Sequence, residues 1–295
     1  MKIIKSILTL ILAFTTLGVY SQSDEYPYPS LSPKGKIIQN VGNTIISIEY
    51  ERPSARKREV FGNLVPWDKV WRTGAGHCTK ISFDKNVIVG GQSIDAGKYS
   101  LFTIPNEKEW IVIINRDTTL YGSYNYDSQK DVARFVSIPD KTNRFYETLN
   151  FDIEIIPNNA KIFISWAHTQ LSFDIETTTD NDLIDFITNE LFTRKNKESN
   201  IYAGASEYLF YKGDSLENAL KLADIAIEID TNNGWARSLK VRIYERLKLY
   251  DNAIDEVNLA ISNINSRDYK DITEKENELS QLKKDLERIK KLKEK

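Results

Sequence analysis

The stretch "LSFDIETTTDNDLIDFITNELF", residues 171–192, changes its periodicity halfway and so divides the chain. Its first six residues alternate: Leu171, Phe173 and Ile175 fall on one face, Ser172, Asp174 and Glu176 on the other. Side chains of a strand point alternately to its two faces, so this is a strand with one face on a core. After position 178 the apolar residues are spaced as Leu183, Phe186, Ile187 and Leu191, a stripe along one side of a helix. Asp180 and Asn181, just ahead of that stripe, are candidate helix caps.

Upstream of the switch the period of two persists. "NFDIEI" (150–155) places Phe151, Ile153 and Ile155 on one face, and "TIISIEY", "KISF", "NVIV", "YSLFTI", "EWIVIIN" and "ARFVSI" add short apolar or alternating runs. Turn signals separate them: "VGN", "GNLVP", "VGGQSIDAG", "IPNEKE" and "IPNNA". Eight or more strands without an intervening helix predict an all-β N-terminal domain, an antiparallel sandwich or barrel, over residues 34–177.

Downstream, helices are expected over 180–295. "SLENALKLADIAIEID" and "YDNAIDEVNLAISNI" superimpose at an offset of 34, which sets Ala219 on Ala253 and Ala226 on Ala260. That is the tetratricopeptide period, in which small residues let paired helices approach closely. The segment 200–265 resembles those repeats and departs from them in two respects. Position 241 is Val where glycine is frequent, and "DTNNG" lacks the usual proline. Two repeats need capping by flanking helices, a role that falls to the helix near 182–194 and to the terminal segment with its stripe of Leu279, Leu282, Leu286 and Ile289.

At the other end, Lys2 and Lys5 precede an apolar run from Ile7 to Val19, and Val19-Tyr20-Ser21 offers a cleavage site after Ser21. This is the pattern of a secretory signal peptide, residues 1–21, too short for a membrane span. The protein is therefore expected to be exported, periplasmic or extracellular, with no membrane span after cleavage. Residues 22–33 carry Pro27, Pro29 and Pro33 and read as an extended linker. A formal net charge of −2 over 295 residues implies no broad basic surface and makes nucleic acid an unexpected partner. The single cysteine excludes an intramolecular disulfide.

The residue types that carry chemistry gather in "WRTGAGHCT", residues 71–79. If "HCTKISF" is a strand, His77 and Cys78 project to opposite faces and do not form a nucleophile–base pair on their own. Metal-ligand spacings of the HExxH or CxxC kind are missing, and "TGAG" lacks the lysine and strand–turn–helix setting of a phosphate loop. Neither metal nor cofactor is expected, and no catalytic residue is assigned. Arg72 beside Trp71 is the more suggestive element. A guanidinium suits carboxylate or phosphate, and an indole offers a stacking face. Arg52, Arg72, Thr73 and His77 are the candidate ligand contacts, in the loops 52–79.

The motifs "SPK", "ERPS", "FGNLVPWDKVWRTGA", "AGKYSLFTIP" and "EWIVIIN" occur in an order that resembles the domain of unknown function 2911 family, over about 30–176. The resemblance implies an exported all-β domain, in that family frequently followed by helical repeats, and supplies no activity. Members commonly read "WRTGANEAT", so Gly76, His77 and Cys78 stand here where Asn, Glu and Ala are usual. The functional expectation is an extracytoplasmic binding or interaction protein, with a small ligand at the 52–79 loops and a protein or peptide partner on the helical repeats. The alternatives are a hydrolase using His77 and Cys78 or His168, and a purely structural envelope component.

Overall fold

A computed structural model describes residues 28–193, 198–213, 215–266 and 271–294. The expected signal peptide and most of the linker lie outside the described residues. The chain divides into two compact units at Thr177/Thr178.

The first unit is built from ten strands: β1 Lys34–Val41, β2 Thr44–Glu51, β3 Thr79–Phe83, β4 Val87–Val89, β5 Gln92–Ile94, β6 Gly97–Ile104, β7 Trp110–Asn115, β8 Asp131–Ser137, β9 Asp140–Ile156 and β10 Asn159–Thr177. They form two antiparallel sheets, of order β1-β2-β3-β6-β7-β8 and β5-β4-β10-β9. Alternation explains the layering. Ile46 and Ile48 of β2, Ile81 of β3 and Val112 and Ile114 of β7 share one buried core with Phe151 of β9 and Leu171, Phe173 and Ile175 of β10. Ile155 departs from the expected inward set: it is 52% exposed, two residues before the Pro157–Asn158 turn where the ribbon leaves the core. "VGGQSIDAG" is also more than a turn. Gly90 and Gly91, both at positive φ, make a tight hairpin, and three residues after it form β5. In β10 the register shifts on both sides of Ala167, which itself has a φ of 52°. This bulge breaks the alternation so that Ile164, Ser165 and Trp166 are all buried in succession.

The second unit contains α1 Thr179–Phe186, continued by a π-helical turn Ile187–Leu191, then α2 Ser199–Lys212, α3 Leu216–Ile229, α4 Gly234–Arg246, α5 Tyr250–Ser266 and α6 Ile272–Lys293. Successive helices from α2 to α6 pack on one another, and α2 also meets α4. The capping expectation needs correction. The residue at the start of α1 is Thr178, without a side-chain cap bond, while Asp180 accepts from Tyr208 Oη at 2.8 Å and Lys212 Nζ at 3.1 Å and so ties α1 to α2. Ala219, Ala226 and Ala253 are fully buried and Ala260 nearly so. Between α3, α4 and α5 runs a buried charge network: Glu256 accepts from Arg237 Nη1 at 2.6 Å and pairs with Lys240 at 3.1 Å, and Lys240 also reaches Asp224 at 2.8 Å. Burial lowers the Lys240 pKa, but its hydrogen bonds to Asp224 and Glu256 more than offset this and leave it raised. Among the described residues no helix is long and apolar enough to cross a membrane.

Candidate functional site

The segment 52–78, between β2 and β3, is too long for a simple hairpin loop, and backbone hydrogen bonds hold it to the sheets and to the loop after β7. Ala55 N–H donates to Glu147 O on β9 at 2.7 Å, Trp71 and Thr103 of β6 exchange bonds of 2.7 and 2.9 Å, and Cys78 N–H donates to Leu120 O at 3.0 Å. Aromatic rings fix the middle. Phe61 meets Trp110 edge-on at 4.8 Å, and Trp71 stacks on Trp166 with ring centroids 5.9 Å apart. Gly62, at φ 93°, lies so close to the Trp67 indole that a Cβ there would sit 2.5 Å from Nε1, so only glycine fits the turn.

Thr73 follows Arg72 at a φ of 51°, a conformation that a β-branched residue rarely adopts. It is held there by its hydroxyl contacts with Trp71 O (3.3 Å) and Thr103 Oγ1 (3.1 Å), and by its own carbonyl accepting from Thr79 Oγ1 at 2.8 Å. Thr73 is fully buried, so it shapes the loop and presents nothing to solvent.

The loop forms one side of a cleft of about 540 Å³. Buried Trp71 and Trp166 contribute to its lining, and Leu64 and Tyr124 stand at its margin, 37% and 86% exposed. Four cations line it, Arg56, Arg58, Lys69 and Arg72, and no Asp or Glu does among the described residues. Arg56 and Arg58 spend hydrogen bonds on the carbonyls of Leu31, Ala55 and Ser54, which leave their charge uncompensated. Arg72 is different again. Its Nε is buried without an acceptor, and its guanidinium has neither hydrogen-bond nor ion-pair partner among the described residues.

A second cleft, also about 540 Å³, is lined by Lys34, Lys36, Glu49, Glu51, His77, Cys78 and Lys80. Here carboxylates stand among the cations, and some of the charges are paired. Hydrogen bonds from Lys36 and Lys98 hold the Glu49 carboxyl below its usual range, and Glu51 Oε1 lies 3.5 Å from His77 Nδ1. Gly76, at φ 53°, gives the Glu51 carboxylate room that any Cβ would take. Cys78 is buried, with Sγ 3.0 Å from Ser100 Oγ and 3.6 Å from Lys80 Nζ; no histidine is among its partners. His168 is exposed, with Nδ1 3.0 Å from Thr142 O. Among the described residues no group of three or more His, Cys, Asp and Glu is placed to hold a metal ion.

The four candidate contacts are thus distributed rather than convergent. Arg72 lines the first cleft and His77 the second. Arg52 lines neither: its guanidinium donates to Leu149 O at 3.1 Å, Asn150 Oδ1 at 3.2 Å and Thr148 Oγ1 at 3.4 Å, a pinning of β9. Arg56, Arg58, Lys69 and Tyr124 escaped the sequence reading. The one available signal was the density of cations in "RPSARKRE", residues 52–59.

Fold and site together define a two-sheet antiparallel β domain that carries a cationic, tryptophan-lined cleft. Residues 32–175 match the family model described as "Protein of unknown function (DUF2911)". Neither the curated proteins nor the solved structures yielded a match.

Proposed function

We propose that this chain is an exported binding protein of the bacterial cell envelope. In this reading the β-rich unit takes a small ligand in the cleft bounded by the 52–78 loop, and the helical unit carries tetratricopeptide-like repeats that engage a protein or peptide. The observation that carries the ligand half is Arg72, a guanidinium without a protein partner, lining an open cleft beside two tryptophans. Proteins pair their buried polar groups, and an unpaired one points to a partner that comes from outside. The repeat reading is supported by the starts of α3 and α5, which fall 34 residues apart (250 − 216), the interval that also separates the buried alanines.

A thermal-shift screen of small envelope and nutrient metabolites against the purified protein tests the ligand half. The expected hit raises the melting temperature of the wild type and not of Arg72→Ala, and is recovered unchanged after incubation. A hit that is converted to product returns the hydrolase reading, and a screen without hits refutes binding at this cleft. Cell fractionation with N-terminal sequencing tests export. A mature chain that starts after Ser21 is expected, and an intact N-terminus in the cytosol refutes it.

A further inference from the structure

We propose that the first cleft recognises an anionic oxygen group, phosphate or carboxylate, carried on an apolar body. This rests on the reading of the cleft as a binding site and adds the chemistry of what enters it.

Three observations converge. The lining carries four cations, Arg56, Arg58, Lys69 and Arg72, and no carboxylate among the described residues, so the cleft has a one-signed potential in a chain whose net charge is −2. Concentrated like charge with low-dielectric walls focuses a field on any ligand of opposite sign. The second cleft is the contrast: there Glu49 and Glu51 sit among the lysines and Glu49 pairs with Lys36 and Lys98, so the lining is of mixed sign. Next, the Arg72 Nε is buried without an acceptor and no ion pair or side-chain hydrogen bond commits the guanidinium among the described residues; an uncommitted fork can make a two-pronged bond to a planar carboxylate or to two phosphate oxygens. Arg52, twenty residues earlier, shows the alternative: its fork is consumed by β9. Finally, most of the remaining wall is apolar or aromatic, with Ser32, Ser54 and Ser123 the neutral polar exceptions. Trp71 and Trp166 lie beside Arg72, and Leu64 and Tyr124 leave 37% and 86% of their surface open at the margin. A bare ion would use the cations alone. A ligand that also uses these side chains must carry an apolar portion.

The local backbone is consistent with a built site. Arg56 and Thr73 both adopt positive φ, at 51° each, next to or within the cation set. Such conformations persist where the surroundings impose them, and they cluster at ligand clamps.

The test titrates the full protein, by calorimetry and by tryptophan fluorescence, with phenyl phosphate, phenylacetate, inorganic phosphate and benzyl alcohol. Both aryl anions are expected to bind at least tenfold tighter than either the bare ion or the neutral alcohol, and the stronger of the two identifies phosphate or carboxylate. Arg72→Ala should weaken the aryl anions at least tenfold and leave benzyl alcohol unchanged. Lys69→Ala, at an exposed position, should weaken them severalfold and flatten the salt dependence. Benzyl alcohol binding as tightly as the anions, or anion binding indifferent to both substitutions, overturns the anionic class and leaves the cleft as a binding site. Silence of all four probes also overturns it. The binding reading then stands or falls on the metabolite screen, where an uncharged hit lost in Arg72→Ala would keep it.

Discussion

Replacing Arg72 by methionine separates a residue kept for a ligand from one kept for the fold. Methionine preserves an unbranched apolar stem in the space beside Trp71 and removes the guanidinium. The Nε removed is buried and lacks an acceptor. Leaving such a donor unsatisfied costs about 1–3 kcal/mol. The substitution also relieves repulsion from Arg56, Arg58 and Lys69, each mostly exposed and so worth a few tenths of a kcal/mol. Nothing of comparable size opposes these gains, since Arg72 has no ion pair or hydrogen bond to lose among the described residues. Arg72→Met is therefore expected to stabilise the β-rich unit by about 1 kcal/mol or more, which moves a urea midpoint up by roughly 0.5 M for a slope near 2 kcal/mol/M. Tryptophan fluorescence is the right probe because four of the five tryptophans, 67, 71, 110 and 166, belong to this unit. Added salt screens the cation cluster, so the gap between variant and wild type should narrow at 0.5 M sodium chloride. A midpoint that falls by 0.5 M or more refutes the reasoning. It would make Arg72 a structural lock of the loop and favour the purely structural envelope component.

Three further outcomes test the architecture. Glu256→Ala leaves the buried Arg237 charge without a carboxylate, while Lys240 keeps Asp224, and should cost about 3 kcal/mol in the helical unit, read as loss of helical circular dichroism at lower denaturant; a change below about 1 kcal/mol would show the network to be dispensable. Gly90→Ala should destabilise more than Gly91→Ala. Both positions incur the left-handed penalty of about 1–2 kcal/mol, but only at Gly90 does the new Cβ strike Phe135, so equal melting shifts would contradict the described hairpin. Asp117, half-buried, is held well below the ordinary carboxylate range by the hydrogen bonds it accepts from Lys130 and Thr119, so its contribution is complete above its unfolded pKa near 3.8 and is lost as pH falls below that value. Asp117→Asn should accordingly lower stability at neutral pH, leave it little changed in acid where the wild-type carboxyl is protonated, and so flatten the acid limb of the stability profile; an unaltered acid limb would contradict a stabilising ion pair.

The two-unit division is legible in residues 171–192 because strand and helix impose different periods, and burial acts on each. Leu171, Phe173 and Ile175 are buried as alternation requires; of the helical stripe, Ile187 and Leu191 are buried, Leu183 is half-buried and Phe186 is 39% exposed. What escapes is local detail decided by partners. β5 is three residues long and hides among turn formers, since pairing with β4 and not propensity makes it a strand. At the site, Arg52 and Arg72 look equivalent in sequence, each beside an aromatic or a proline in a loop. Their fates diverge because acceptors of β9, nearly a hundred residues away, reach Arg52 and nothing reaches Arg72. Sequence locates cations; only the fold says which are satisfied.

That asymmetry also bears on why the 52–78 loop is so irregular. Of the seven described non-glycine residues at positive φ, four, Arg56, Lys57, Asp68 and Thr73, fall within it. Each adds conformational cost, and a loop needed only to join β2 to β3 could avoid it with glycine or with fewer residues. The loop instead carries this strain, anchors Phe61 and Trp71 in the core, and lines the cleft with Arg56, Arg58, Lys69 and Arg72, none of them neutralised. Strain and unpaired charge each lower stability for no gain within the unit itself. Their coincidence in one segment is accounted for if the segment is organised around something that is not part of the chain, and the charge left over specifies the sign of what that something must bring.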